Sequence, residues 1–170
     1  MTEPILEQKY WTDRYRTATE RHHAIFRCPL EKWVAIERAH RIILAQYIKD
    51  TDSILDCGCG WGRLLTLMPR WWIGPDKMNY LGIDLSETFI EMAREQYPSL
   101  EFRQADLRKI PLAPAVPEYR FDWAVMISIR PMVKRNLGDE SWAQMESEIR
   151  RCAKKLLYLE YDPDDKGSVE

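Results

Sequence analysis

The pattern of apolar and polar positions separates a helical N-terminal part of the chain from a part in which short apolar runs alternate with helical segments. Pro29 opens a stretch whose apolar side chains recur at helical spacing up to Ile48, which predicts an amphipathic helix with proline in its first turn. From residue 53 onward, apolar runs predict five strands, in "SILDC", "MNYLGID", "LEFRQAD", "FDWAVMIS" and "KLLYLEYDP". This alternation predicts an α/β fold, a three-layer sandwich around a mainly parallel sheet.

Further helices are predicted between these strands. "WGRLLTLMP" is a helix that stops before Pro69, and "SETFIEMAREQYP" is a helix with Ser86 as its N-cap. "DESWAQMESEIRRCAK" is a helix that leads into the last strand. Because only "DPDDKGSVE" follows, we expect the C-terminal strands to be truncated after the fifth strand. The open sheet edge would then be covered by a homodimer partner or by the N-terminal helix.

Length and composition favour one domain. A chain of 170 residues can bury one continuous core, so we predict a single domain over residues 1–170, with a lid segment over 1–28 and the core over 29–170. The formal net charge of -2 makes nucleic acid an unlikely partner. No apolar run reaches the roughly 18 residues of a membrane span, and no signal peptide is evident, so we expect a cytoplasmic protein without a membrane partner. The 4 scattered cysteines are expected to be reduced, with no metal site.

The stretch "ILDCGCGWGR", residues 54–63, places glycines at alternate positions directly behind the first predicted strand. A dinucleotide fingerprint G-x-G-x-x-G would require glycine at its last position, which is arginine here, so that fingerprint fails. An acid at the strand end would repel a pyrophosphate but attract a cation. S-adenosylmethionine carries a sulfonium and an ammonium group, which suits the pattern of Asp56, Gly58, Gly60 and Gly62.

Two further acids end the second and third predicted strands. Asp84 ends "YLGID" about 20 residues beyond the glycine turn, where a carboxylate can accept hydrogen bonds from both ribose hydroxyls. Asp106 in "FRQADLRKIPL" is placed to accept a hydrogen bond from an adenine amino group. Leu85 and Leu107, one residue past each acid, would hold the adenine ring between them.

Residues 53–128 resemble the nucleotide half of the class I S-adenosylmethionine-dependent methyltransferases. "LDCGCGWGRLL", "YLGIDLSETFIEMARE" and "FRQADLRKIPL" match three successive motifs of that family in order. The resemblance implies a Rossmann-like sheet, S-adenosyl-L-methionine as cofactor, and methyl transfer by in-line displacement. It also implies cofactor-binding residues in the turn and at the strand ends: Asp56, Gly58, Cys59, Gly60, Gly62, Asp84, Leu85, Asp106, Leu107 and Ile127.

The segment "YWTDRY" is similar to a segment that lies over the cofactor in several small-molecule members of the family. It implies lid contacts from Trp11 and Arg16, although such aromatic residues are also common in ordinary packing. Residues 4–24 concentrate aromatic and arginine side chains, which can shield a sulfonium and hold a carboxylate. His22 and His23 are candidate acid–base groups, against the commoner outcome of a solvated histidine.

The sequence says less about the residues that would bind the methyl acceptor. The fourth strand ends in "MISIRPMV", which lacks the motif of the adenine and glutamine amino-methylating enzymes, the Pro-Cys of cytosine C5 enzymes and the acid of the magnesium-dependent catechol type. A small-molecule acceptor is therefore favoured. Arg130 and Lys134 belong to a basic cluster after this strand, which is either a solvated loop or the recognition element for an anionic substrate.

Three alternatives stay open. The first is a catalytically silent S-adenosylmethionine-binding subunit of a partner complex, since we expect the usual final helix and hairpin to be missing. The second is a methyltransferase that acts on RNA or protein. An aminopropyl transferase is a weaker alternative, because no acidic motif follows the fourth strand.

Overall fold

The computed structural model describes residue 13 and residues 28–73, 79–112, 121–160 and 167–169. The predicted lid lies outside these residues apart from positions 13 and 28. The lid contacts predicted for Trp11 and Arg16, and the candidate acid–base groups His22 and His23, therefore also lie outside the described residues.

A sheet forms the centre of the fold. Its strands are β1 (Ile54–Cys57), β2 (Tyr80–Asp84), β3 (Glu101–Gln104), β4 (Phe121–Ile127), β5 (Ala153–Leu159) and β6 (Ser168–Val169). Within the described residues the order is β3-β2-β1-β4-β5-β6, and all pairs are parallel except β5 with β6. The chain order changes direction between β1 and β4, where the carboxyl ends of two neighbouring strands form a crevice. The predicted α/β sandwich with a mainly parallel sheet is confirmed.

β6 extends the sheet beyond the strand that the sequence predicts as the last. It pairs antiparallel with β5, with Leu157 opposite Val169 and Tyr158 opposite Ser168. A strand of this length has no alternating pattern by which a sequence could reveal it. The edge of β5 is thus partly covered by the chain itself.

Helices cover both faces of the sheet. α1 (Leu30–Tyr47), α2 (Arg63–Leu67) and α3 (Glu87–Gln96) contribute to the core on one face, and α4 (Ile129–Cys152) to the core on the other. A short 3-10 turn spans Arg70–Trp72. The predicted N-cap of α3 is confirmed, since the Ser86 side chain accepts the Phe89 N–H at 3.4 Å.

α4 corrects the sequence analysis. The sequence predicts a helix from Asp139, whereas α4 begins at Ile129 and continues through a kink at Gly138, where φ is 83° and ψ is 172°. Arg130 and Lys134 therefore lie on a helix and not in a solvated loop. The backbone of both residues is helical and follows directly on the end of β4.

The amino ends of β1 and β4 are joined through Asp122. Its carboxylate accepts the Ser53 N–H at 2.9 Å, the Ser53 hydroxyl at 2.7 Å and Lys154 Nζ at 2.7 Å. The hydrogen bonds from Lys154 and Ser53 lower the pKa of Asp122 to about 2. We call this group the Asp122 clasp. It lies at the amino ends of the strands, whereas the predicted site lies at their carboxyl ends.

In the described residues, no helix is both long enough and apolar enough to cross a membrane. Cys28, Cys57, Cys59 and Cys152 are free and buried thiols. Burial raises the pKa of Cys57 and of Cys59 well above the ordinary range, so both thiols are protonated and serve as small packing groups.

Candidate functional site

The turn between β1 and α2 is closely packed on its flanks and open in its middle. Gly58, Gly60 and Gly62 have positive φ values of 72°, 54° and 85°, and the buried Cys59 closes the turn by accepting the Gly62 N–H at 3.0 Å. A β-carbon on Gly58 would lie 2.5 Å from Cδ1 of Ile129. Among the described residues, no atom lies within 4 Å of a β-carbon added to Gly60. The bare backbone at Gly60 therefore borders an open space.

Asp84 holds this turn from the end of β2. Its Oδ2 accepts the Gly60 N–H at 2.9 Å, and its Oδ1 accepts the Ser86 N–H at 2.8 Å. Burial raises the pKa of Asp84 above its ordinary value, while the hydrogen bonds from Ser86 and Gly60 act in the opposite direction. These backbone donors fix the carboxylate beside the open space, and each oxygen keeps a lone pair for a hydroxyl donor.

Asp56 lies beneath the turn. It is 2% exposed, and its Oδ2 accepts a hydrogen bond from the Tyr80 hydroxyl at 2.7 Å. Burial raises the pKa of Asp56 to about 7 against the effect of the Tyr80 hydrogen bond; repulsion by Asp84 raises it further, and Arg63 lowers it. At 2% exposure the Asp56 side chain is shielded from the open space beside Gly60, so its part in cofactor binding stays a prediction.

Asp106 is engaged by Arg108. Arg108 Nε donates to the two carboxylate oxygens at 3.1 and 2.9 Å, and the Arg108 backbone N–H donates to Oδ1 at 2.8 Å. Partial burial raises the pKa of Asp106, but the hydrogen bonds from Arg108 outweigh it and the net shift is downward. An adenine amino group would share an acceptor that Arg108 already occupies.

The ends of β2 and β3 bring the predicted adenine contacts together. The Ala105 N–H donates to the Asp84 carbonyl at 2.9 Å. Leu85 and Asp106 therefore lie just beyond the ends of two adjacent strands, β2 and β3. Leu85 is half-buried, whereas Leu107 is 8% exposed and belongs to the core on the α4 face. The two leucines therefore differ in exposure, although the sequence predicts equal roles for them.

The end of β4 contacts both β5 and the glycine turn. Ile127 ends the strand, and Ser128 follows with a φ of 55°, the one positive φ of a non-glycine residue in the described chain. The Ser128 N–H donates to the Leu159 carbonyl at 2.7 Å, and Ile129 packs against Gly58. A serine in this conformation costs about 1–2 kcal/mol, so the surrounding contacts must enforce it.

The predicted substrate-binding cations both have acidic partners. Arg130 Nη2 lies 3.8 Å from Glu160 Oε1, and the guanidinium carbon lies 4.3 Å from the centroid of the Tyr158 ring. Lys134 Nζ lies 3.1 Å from Asp139 Oδ1. Glu160 is missed by the sequence analysis, which looks for an acid only beyond β4. Ile127 on β4 pairs in parallel with Leu159 on β5, so the end of β5, where Glu160 follows, lies directly beside the end of β4.

The arrangement fits S-adenosylmethionine. Gly60 offers bare backbone with free space next to it, and Asp84 offers an oriented carboxylate, the acceptor that a ribose diol requires. Among the described residues, no cluster of three or more His, Cys, Asp or Glu side chains could hold a metal ion.

A family model described as a methyltransferase domain matches residues 54–155, more than half of the chain. The match begins at β1, includes the glycine turn, Asp84, Asp106 and the end of β4, and extends into β5. The chain belongs to this family. The resemblance to class I S-adenosylmethionine-dependent methyltransferases that the motifs indicate is thereby confirmed.

Two curated relatives show how far the similarity extends. The ubiquinone/menaquinone biosynthesis C-methyltransferase of Campylobacter jejuni strain 81-176 is 26% identical over 136 residues, which cover 77% of this chain and 54% of the relative. The trans-aconitate 2-methyltransferase of Azoarcus sp. strain BH72 is 36% identical over 81 residues, covering 47% of this chain and 30% of the relative. The methyltransferase domain thus spans about half the length, or less, of the curated relatives that it matches.

Solved structures show the same fold. Phosphoethanolamine N-methyltransferase 1 of Haemonchus contortus, in complex with phosphoethanolamine and S-adenosylhomocysteine, matches with a TM-score of 0.63 and 15% identity, over 93% of this chain and 33% of that one. A TehB-like S-adenosylmethionine-dependent methyltransferase from Corynebacterium glutamicum matches with a TM-score of 0.53 and 19% identity, over 75% of this chain and 68% of that one.

Proposed function

We propose that this chain binds S-adenosylmethionine at the glycine turn and transfers its methyl group to a small molecule. The observation that carries the proposal is the open space at Gly60 beside the Asp84 carboxylate. A β-carbon on Gly60 would enter that space, and Asp84 is already oriented by two backbone donors. Membership of the methyltransferase-domain family supports the same reading.

The residues of this chain would bind and align more than they would react. The cofactor supplies a methyl group already activated on a sulfonium. Asp84 would accept from the ribose hydroxyls, Leu85 would contact the adenine ring, and Asp106 would share its carboxylate between Arg108 and the adenine amino group. Holding the methyl group and the acceptor in line supplies the rate enhancement, so no covalent residue is needed.

The acceptor would be bound at the end of β4, where Ile127 and Ser128 border the glycine turn. Small acceptors are favoured because the similar proteins named above include a trans-aconitate and a quinone-biosynthesis methyltransferase and one solved with phosphoethanolamine. Arg130 and Lys134 would recognise an anionic acceptor only by exchanging their present partners, Glu160 and Asp139. The buried free thiols suit a reducing compartment, so we place the reaction in the cytoplasm.

Transfer of a labelled methyl group tests this function. The full chain is incubated with methyl-labelled S-adenosylmethionine and, in separate reactions, with polycarboxylates, phenols and quinols, amines, bulk RNA or unfolded protein. We expect label in one small-molecule class, and its loss in Asp84→Ala but not in Glu91→Ala, at an exposed position of α3. Label in RNA or protein alone would contradict the small acceptor, and cofactor binding without transfer to any class would favour a silent binding subunit.

A further inference from the structure

The loop that carries Asp106 is bonded to the sheet at its start. The Ala105 N–H donates to the Asp84 carbonyl at 2.9 Å, on the neighbouring strand. The Lys109 N–H then donates to the Asp106 carbonyl at 2.9 Å and closes a turn. This turn leads directly into Ile110, which is buried in the core on the α4 face. We call residues 105–112 the Asp106 loop.

Two side chains near the carboxyl end of α4 bind the far end of the Asp106 loop. Glu148 Oε2 accepts the Ile110 N–H at 3.3 Å. Arg151 Nη2 donates to the Ile110 carbonyl at 3.0 Å, and Arg151 Nη1 donates to the Leu112 carbonyl at 3.2 Å. Both backbone polar groups of Ile110 are therefore bonded to side chains of α4, four residues after Asp106.

Glu148 and Arg151 also bond to each other. Arg151 Nη2 donates to Glu148 Oε2 at 2.9 Å, and Arg151 Nε donates to Glu148 Oε1 at 3.4 Å. The hydrogen bonds between them lower the pKa of Glu148 and raise the pKa of Arg151, so the pair is charged at neutral pH. A guanidinium presents its donors in a rigid fork, which lets Arg151 reach two carbonyls and a carboxylate at once.

We propose that Glu148 and Arg151 are positioning residues that hold the Asp106 loop, and that they set how strongly the site prefers a base with an amino group. The inference rests on the proposed cofactor binding, in which Asp106 accepts from the adenine amino group. Neither side chain touches the ligand in this account, since both act through the backbone of Ile110. A hydrogen bond weakens steeply when its geometry is lost, and a released loop would have to be ordered again before Asp106 could accept.

Two ligands that differ only at the base test this inference. They are S-adenosylhomocysteine and its analogue in which hydrogen replaces the adenine amino group. Calorimetry of the full chain gives both dissociation constants, and their ratio measures the preference for the amino group. We expect the wild type to prefer S-adenosylhomocysteine about fivefold, the size of one hydrogen bond.

Arg151→Lys keeps the charge and the aliphatic stem but loses the fork. We expect the preference to fall to about twofold or less, and amide hydrogen exchange at Ile110 to become faster. Arg150→Lys is the matched control on the same helix, where Arg150 Nε and Nη2 donate to Glu146 Oε1 at 2.9 and 2.6 Å. Its preference and its exchange at Ile110 should follow the wild type.

Glu148 supplies a second pair of variants. Glu148→Ala removes the acceptor of the Ile110 N–H and should lower the preference as Arg151→Lys does. Glu148→Gln keeps an oxygen acceptor and should restore most of the preference. A role in stability alone would weaken the binding of both ligands by the same factor, so it would leave the preference unchanged.

The outcomes separate this inference from the proposed function. Absence of S-adenosylhomocysteine binding in the wild type would overturn both. Binding without a preference in the wild type, or a preference that Arg151→Lys and Glu148→Ala leave unchanged, would overturn the role of the pair and leave the cofactor site intact. Faster exchange at Ile110 with an unchanged preference would do the same. If Arg151→Lys fails to fold, the preferences of Glu148→Ala and Glu148→Gln decide.

Discussion

Gly60 and Gly138 have the same local freedom but different surroundings. Both have positive φ, of 54° and 83°, and at both an added β-carbon would meet no atom of the described part of the chain within 4 Å. Only Gly60 borders the Asp84 carboxylate, through the hydrogen bond of its N–H. The space at Gly60 is therefore a ligand space in our account, whereas the space at Gly138 is solvent around a helix kink.

We predict that Gly60→Ala weakens S-adenosylmethionine binding at least tenfold, because its β-carbon occupies that space. Each alanine costs about 1–3 kcal/mol of stability through its positive φ. Gly138→Ala is the matched control and should lose stability without losing affinity. Calorimetry and thermal unfolding of both variants measure this, and equal affinities in the two variants would contradict the placement of the cofactor.

The individual residues of the site could be predicted from the sequence only as far as their identity. Spacing in the sequence predicts Asp84 and Gly60 as site residues. The hydrogen bond between them depends on the backbone conformation of the turn, which the sequence does not reveal. The sequence predicts Asp56 beside a cation, whereas its burial under Tyr80 follows from strand pairing that brings β2 over it. The partner of Asp106 was missed because Arg108 reaches it only through the turn that follows β3.

Among the elements, β1 to β5 and helices α1 to α3 were predictable, because their apolar patterns and caps agree with their places in the sheet. α4 was predicted too short because Pro131 and Gly138 are typical helix-ending residues. Proline in a first turn interrupts no internal hydrogen bond, and the helix continues past the glycine through a kink. β6 is too short for any pattern to indicate it.

The Asp122 clasp gives an element-scale prediction. A carboxyl whose folded pKa is depressed stabilises the fold above its unfolded pKa of about 4, and that contribution is lost as pH falls toward about 2. Asp122→Asn should therefore lower the free energy of unfolding by about 1 kcal/mol at pH 7, a value discounted for solvent screening, and by only a small fraction of that at pH 2, where the carboxyl is half protonated in the folded state. Urea unfolding from pH 7 to pH 2 measures it. Asp139→Asn is the control, because the Asp139 side chain is 85% exposed. A loss of stability in Asp122→Asn that does not change with pH would contradict the electrostatic role of Asp122.

The N-terminal segment supplies a second prediction at this scale. If residues 4–24 lie over the cofactor, as their aromatic and arginine content predicts, binding of S-adenosylmethionine changes the environment of Trp11. The binding-induced change in tryptophan fluorescence should therefore be smaller in Trp11→Phe than in the wild type. Fluorescence titrations that coincide for the two proteins would remove Trp11 from the lid.

At the scale of the whole molecule, the edge of β5 bears on assembly. β6 pairs only with Leu157 and Tyr158, so within the described residues no strand covers residues 153–156 on that side. Unpaired backbone groups at an edge invite pairing with another chain. We predict a homodimer through this edge, or cover from the N-terminal segment.

Light scattering with hydrogen exchange checks the prediction. A dimer should show slow amide exchange at residues 153–156, with protection that falls on dilution. Cover by the N-terminal segment should give protection that does not depend on concentration. A monomer with rapid exchange at these residues would contradict both.

The central claim is that the glycine turn and Asp84 form a site for S-adenosylmethionine, and calorimetry of the full chain with this cofactor tests it most directly. We predict an affinity on the order of micromolar for the wild type and much weaker binding of NAD. Asp84→Ala should bind about 1–3 kcal/mol more weakly, since the ribose hydroxyls lose their acceptor, while Asp139→Ala should match the wild type. No heat of binding from the wild type, or an unchanged affinity in Asp84→Ala, would contradict the claim.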